Sequence, residues 1–174
     1  MPVERTGAVT FKGNPLTLMG EAIHVGDKAP DFAVLAGDLS EVNLDTDGGK
    51  VRLVLSVPSL DTPVCDQETK KFSDKGAQFP DNVVVYTISC DLPFAQNRWC
   101  GTAGVENVKT LSDHRDMSFA QAYGTWVKEL RLLSRAVFVI DANDVVQYVE
   151  YVPEIGEHPN YDAAVDAVNK IAAK

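Results

Sequence analysis

Cysteine is scarce in this chain of 174 residues: Cys65, Cys90 and Cys100 are its three thiols, and none belongs to a C-x-x-C pair. That count excludes a secreted disulfide scaffold, and the spacing argues against a dithiol–disulfide oxidoreductase of the usual kind. Histidine is as sparse. His24, His114 and His158 lie far apart and away from any cysteine at metal-ligand spacing, so zinc has no candidate ligand set. Positive charge is in deficit, with 16 Lys and Arg against 25 Asp and Glu, a net charge of -9 and a pI near 4.7. A phosphate backbone or an anionic membrane surface repels such a chain, so neither nucleic acid nor membrane is an expected partner. The first residues carry charge early, at Glu4 and Arg5, and no later run reaches the length of a membrane span. The expected location is the cytoplasm.

What is present is the balance of an ordinary globular domain, 45% hydrophobic and 24% charged, with no repeat or linker to divide residues 1–174. The segment 8–18 reads as two short strands around Gly13-Asn14-Pro15, a hairpin at the start of the chain. The runs 31–35 and 41–44 suggest a second strand pair around Gly37-Asp38. Val51-Arg-Leu-Val-Leu-Ser-Val57, closed by Pro58, is dense enough in aliphatic residues for a strand buried on both faces. Asp61-Thr62-Pro63 then offers a cap and a first-turn proline, which predicts a helix from about Val64 toward Phe79. Val83-Val-Val-Tyr-Thr-Ile-Ser89 supplies the next buried strand and completes a βαβ unit, whose ligands gather at the carboxyl ends of the strands. Residues 118–123 read as helix, 135–141 and 145–152 as a hairpin across Ala142-Asn143-Asp144, and 161–171 as an amphipathic helix.

Cys65 falls in the first turn of the first helix. There, unpaired N–H groups and the positive end of the helix dipole favour a thiolate, the form in which a cysteine attacks peroxide oxygen. Thr62, three residues earlier, can direct its hydroxyl at the sulfur or at a bound oxygen, and Pro58 can shield the site from water. On spacing alone, a small buried packing cysteine fits the position equally well.

The run Pro58-Ser-Leu-Asp-Thr62-Pro-Val-Cys65 resembles the P-x-x-x-T-x-x-C motif of the peroxiredoxins. Asp91-Leu-Pro-Phe-Ala-Gln96, Arg98-Trp-Cys100-Gly and Ser134-Arg135-Ala-Val-Phe-Val-Ile-Asp141 are similar to the thiol peroxidase branch of that family, and the likeness spans nearly the whole chain. The resemblance implies an α/β fold of thioredoxin type, a central mixed sheet flanked by helices, with residues 1–20 as an N-terminal hairpin extension. It implies Cys65 as the peroxidatic cysteine, Thr62 and Pro58 as its pocket, and Arg135 as the guanidinium that stabilises thiolate and peroxide. Arg131, in a surface-like run, is the competing arginine. It further implies Cys100 as the resolving cysteine of an intramolecular disulfide, a thioredoxin-type reductant, a hydroperoxide substrate and a homodimer. No cofactor or metal is expected. Two sulfurs about 35 residues apart would meet only after local rearrangement, and Arg98–Gly104, with two glycines, reads as the segment able to move. Cys90 is expected to pack, and a Cys90–Cys100 disulfide is a side possibility. A redox-responsive binding protein, in which Cys65 reacts once and a partner reads the change, stands as the rival of another class.

Overall fold

The computed structural model describes residues 3–105 and 107–173. A seven-stranded sheet forms the centre, in the order β11-β10-β5-β6-β7-β3-β4. Its elements are β3 (Ala33–Leu35), β4 (Glu41–Asn43), β5 (Val51–Ser56), β6 (Val83–Ser89), β7 (Lys109–Ser112), β10 (Ala136–Ile140) and β11 (Val146–Tyr151). The strands β5, β6 and β7 run parallel, and the flanking pairs are antiparallel. The expected mixed sheet and helices are present.

β5 is dominated by aliphatic residues because both of its faces are covered. Leu53 and Leu55 pack with Phe72, Val137, Val139 and Val168 on the side of α1 (Pro63–Gly76) and α4 (Tyr161–Ala172). Val54 points the other way, into Phe32, Phe119, Tyr123 and Phe138, beneath the short helix α3 (Ser118–Ala122). Alternation along a strand sends neighbours to opposite faces, so a doubly covered strand needs apolar residues throughout. The exceptions are Ser56, whose hydroxyl donates to the Ser134 carbonyl at 2.8 Å, and Arg52, 1% exposed. Its guanidinium donates to the Leu44 carbonyl at 3.1 Å and the Asp141 carbonyl at 2.7 Å, and pairs with Asp144 at 2.5 Å. Arg52→Met leaves those acceptors without their donor, and a loss of about 2–4 kcal/mol of stability is expected. Urea unfolding of the variant measures it.

The N-terminal hairpin differs from its sequence expectation. β1 (Glu4–Phe11) and β2 (Asn14–Met19) enclose a two-residue turn at Lys12 and Gly13, both at positive φ (52° and 80°), the geometry that matches strand twist in tight hairpins. Pro15 therefore lies inside β2, opposite Thr10, and not in the turn. Its missing N–H is tolerated because β8 (Trp126–Val127) covers β2 only at Leu18 and Met19. With β9 (Leu132–Leu133) the hairpin completes a second, four-stranded sheet. Thr10 also exchanges backbone hydrogen bonds with Pro153 and Ile155, at 2.8 Å each, which fastens the hairpin to the segment after β11. Met1 and Pro2 of the expected extension lie outside the described residues.

Arg98–Gly104, read from the sequence as a segment able to move, belongs with the residues before it to a helix, α2 (Pro93–Ala103), and its C-cap. Pro93 occupies its first turn and Gly104, at φ 68°, closes it in the left-handed conformation. The first helix ends at Gly76, three residues before the expected Phe79.

Candidate active site

The site stands at the carboxyl ends of β5 and β6, where the chain leaves β5 at Ser56 and enters α1 at Pro63. Thr62 is the N-cap: its hydroxyl oxygen accepts from the Cys65 N–H at 3.4 Å, and its hydroxyl donates to the Ser59 carbonyl at 3.0 Å. That places Cys65 in the first turn, as the sequence suggests. The Thr62 hydroxyl, expected to reach the sulfur or a bound oxygen, is engaged here with the backbone of Ser59 and Cys65. The loop 58–62 is gripped from β6 by Asp91, whose carboxylate accepts from Ser59 Oγ at 2.7 Å, the Leu60 N–H at 2.8 Å and Ser89 Oγ at 2.7 Å. Asp91 thus fixes the turn that presents the cysteine. No chemical argument from the sequence identifies it, although a carboxylate just past a buried strand is the available signal.

Cys65 is fully buried, packed with Val57, Leu60 and the half-buried Trp99. Arg135, 2% exposed, reaches it from the residue before β10. Its Nη2 donates to the Cys65 sulfur at 3.2 Å and its Nε to the Ile155 carbonyl at 2.9 Å. The planar fork is therefore pinned at one edge and directed at sulfur from the other. Arg131 sits at the exposed turn between β8 and β9, at φ 55°, away from the sulfur.

Glu68, one helical turn after Cys65, is also fully buried, with Oε1 3.6 Å from Arg135 Nη1. Neither of its oxygens has a hydrogen-bond partner among the described residues. Burial pushes its carboxyl up to about 8, against the opposing pull of Arg135. At neutral pH the side chain is then mostly the uncharged acid, and the guanidinium charge remains available to sulfur. Sequence reading passed over Glu68, but i,i+3 spacing from the cysteine puts it on the same helix edge.

The native carboxyl of Glu68 holds its proton up to about 8, whereas an unfolded one releases it near 4.5. In that window the folded state binds more protons than the unfolded state, so stability falls as pH rises, by up to about 1.4 kcal/mol per unit. Glu68→Gln is expected to flatten the fall between pH 5 and 8. Denaturant midpoints of both proteins across that range supply the check, and parallel profiles would contradict it.

A cavity of about 320 Å³ opens over the start of α1, lined by Pro58, Thr62 and Arg135 and by apolar side chains including Val127, Leu132 and Ile155; Cys65 itself lies buried behind this lining. Phe11 and Lys12 from the hairpin form part of its wall. Four of the five expected site residues, Pro58, Thr62, Cys65 and Arg135, thus come together.

The fifth, Cys100, stands apart. It lies in α2, its sulfur 3.2 Å from Thr110 Oγ1 on β7, and all three cysteines are free thiols. Cys90 sits with its sulfur 3.4 Å from Met117 Sδ, and burial together with Asp113 and Asp91 pushes its thiol up to about 12. It stays protonated and is suited to packing. No group of three or more potential metal ligands occurs among the described residues, and no described helix is long and apolar enough to cross a membrane.

A buried cysteine at a helix start, held against an arginine beneath an apolar cavity, is an arrangement with counterparts. Residues 24–165 match the family model described as Redoxin. The chain belongs to the Redoxin family. It is 62% identical over 160 residues to a thiol peroxidase of Halalkalibacterium halodurans, covering 92% of this chain and 96% of that one. It is 53% identical to a thiol peroxidase of Bacillus subtilis, covering 94% and 97%. Among solved structures, a peroxiredoxin-like protein from Aquifex aeolicus superposes with a TM-score of 0.89 at 43% identity, covering 98% of both chains. The chain is a peroxiredoxin-type enzyme with thiol-dependent peroxidase function, on the thioredoxin-like fold that the resemblance implies.

Proposed function

We propose that the chain reduces hydrogen peroxide and organic hydroperoxides through Cys65, with residues 1–174 acting as one catalytic domain. The observation that carries this reading is the 3.2 Å contact between Arg135 Nη2 and the Cys65 sulfur, with both side chains buried. The Cys65 thiolate attacks the distal peroxide oxygen, the O–O bond breaks, and water or an alcohol leaves as Cys65 becomes a sulfenic acid. Arg135 stabilises the attacking anion and the charge that develops on the leaving oxygen. Thr62, whose hydroxyl can exchange its Ser59 partner for a peroxide oxygen, orients the substrate, and Pro58 excludes water. The apolar wall of the cavity suits an alkyl group on the second oxygen.

Cys100 then resolves the sulfenic acid as an intramolecular disulfide, and a thioredoxin-type dithiol returns both thiols. The expected setting is the cytoplasm, where such a donor operates. We further propose a homodimer, for which Leu92 and Phe94, 53% and 65% exposed beside the site, offer apolar contact surface. Steady-state turnover of hydroperoxide with an added thioredoxin, its reductase and NADPH tests the reading. Many turnovers per chain support it. A single equivalent consumed, followed by arrest, would instead identify a redox-responsive binding protein.

A further inference from the structure

Resolution requires Cys100 to leave Thr110 and approach Cys65, so something in α2 must yield. The two halves of the helix are held differently. Gln96, buried in the first half, donates to Ser89 Oγ at 3.1 Å and to the Leu111 carbonyl at 2.7 Å, and Asn97 donates to the Gly37 carbonyl at 2.9 Å. Past Asn97, the side-chain bonds from α2 to the rest of the fold among the described residues are the Cys100 contact with Thr110 and one other: the Trp99 indole N–H donates to Asp66 Oδ1 at 2.9 Å. Asp66 immediately follows Cys65 in the first turn of α1, and its other oxygen is 2.9 Å from Lys70 Nζ. Trp99 immediately precedes Cys100 and its ring packs on the Cys65 cluster. One hydrogen bond thus joins the residue next to each reacting cysteine, in the part of α2 with least other anchorage and a left-handed glycine at its end.

We propose that Asp66 is a positioning residue whose hydrogen bond from Trp99 latches the second half of α2 to the first turn of α1, and that breaking this latch sets how fast Cys100 reaches oxidised Cys65. The inference rests on the peroxidase reading above. In the step concerned, the Cys100 sulfur attacks the sulfenic sulfur of Cys65 and the S–O bond breaks as the S–S bond forms. The departing hydroxyl leaves as water with the Cys100 thiol proton, and no outside oxidant or reductant takes part. While the latch holds, the sulfenic acid waits in its pocket, open to a second peroxide and conversion to sulfinic acid. Releasing the latch shifts the balance toward the disulfide.

Three variants separate hydrogen bond from charge. Trp99→Phe keeps the ring and removes the donor, Asp66→Ala removes acceptor and charge, and Asp66→Asn removes the charge while keeping an acceptor. Asn97→Ala loosens the other half of the helix and serves as the control. Each full-length protein is mixed with graded hydrogen peroxide, quenched with a thiol-alkylating reagent at millisecond intervals, and analysed by mass spectrometry. Disulfide formation three- to tenfold faster in Trp99→Phe and Asp66→Ala is expected, scaled to one charge-assisted hydrogen bond. The sulfinic fraction at excess peroxide should fall in step, with the initial oxidation of Cys65 within twofold of wild type. Asp66→Asn, which keeps a weaker neutral acceptor, should resolve at a rate between wild type and Asp66→Ala, Asn97→Ala at the wild-type rate, and the double variant Asp66→Ala/Trp99→Phe no faster than either single one. Unchanged or slower resolution in Trp99→Phe, or equal acceleration in Asn97→Ala, overturns the latch. Failure of the wild-type protein to form any Cys65–Cys100 link would instead bring down the resolving role of Cys100 on which the latch stands.

Discussion

Replacement of Cys65 by serine is expected to lower kcat/KM for hydrogen peroxide by at least about 10³-fold, the scale of loss when a nucleophile is removed from an assembled site. Sulfur is the electron donor of the reaction. A serine hydroxyl has neither the acidity to ionise beside Arg135 at neutral pH nor an oxidation state to occupy after attack on oxygen. The substitution is close to isosteric, and the Thr62 cap acts through the backbone N–H of residue 65, which serine retains. The variant should therefore fold with little change in thermal midpoint. Full activity in Cys65→Ser would move the nucleophile to Cys100, since burial holds Cys90 as its thiol, pushed up to about 12.

Replacement of Arg135 by methionine is expected to reduce kcat/KM by about 10²–10³-fold, the usual consequence of losing a preorganised donor aimed at developing charge. The guanidinium supplies the Nη2 contact to sulfur at 3.2 Å, and its Nε bond to the Ile155 carbonyl at 2.9 Å prevents it from swinging away. Lysine restores charge but not the two-edged fork, so Arg135→Lys should recover only part of the rate. Stability should suffer less than the removal of a buried arginine ordinarily implies. Its carboxyl neighbour Glu68 is held toward the uncharged acid by burial, so no bare anion is left behind. Stopped-flow oxidation of Cys65 measures the first consequence, and the denaturant midpoint of the variant measures the second. A rate within threefold of wild type would reduce Arg135 to an ordinary strand-end charge.

Much of this was readable without coordinates, and the limits have physical causes. Strands β5 and β6 are legible because double burial leaves them dense in aliphatic residues, with the few polar ones buried, and the start of α1 is legible because Thr62 and Pro63 are the residues capping chemistry favours there. The helix α2 was missed because Gly101 within it and Gly104 just past its end weaken helical periodicity; Pro93 at its first turn was the overlooked signal. Pro15 misled because its cost inside a strand depends on whether a neighbour covers that edge, which only the second sheet decides. At the site, Cys65 and Arg135 could be singled out because they carry intrinsic chemistry, and the fold brings them to 3.2 Å. Glu68 and Asp91 were not singled out, because their importance comes from what they face in three dimensions. One lies 3.6 Å from a guanidinium, and the other gathers three donors from the loop and strand end beside the cysteine.

The central claim is that Cys65 takes oxygen from peroxide and Cys100 closes the cycle within the same chain. It is tested most directly by adding one equivalent of hydrogen peroxide to the reduced protein, alkylating the remaining thiols, and mapping the peptides by mass spectrometry. The expected product is a Cys65–Cys100 disulfide within one chain, with Cys90 alkylated. Recovery of Cys100 as the alkylated thiol, with Cys65 unmodified or oxidised without a partner, would contradict it.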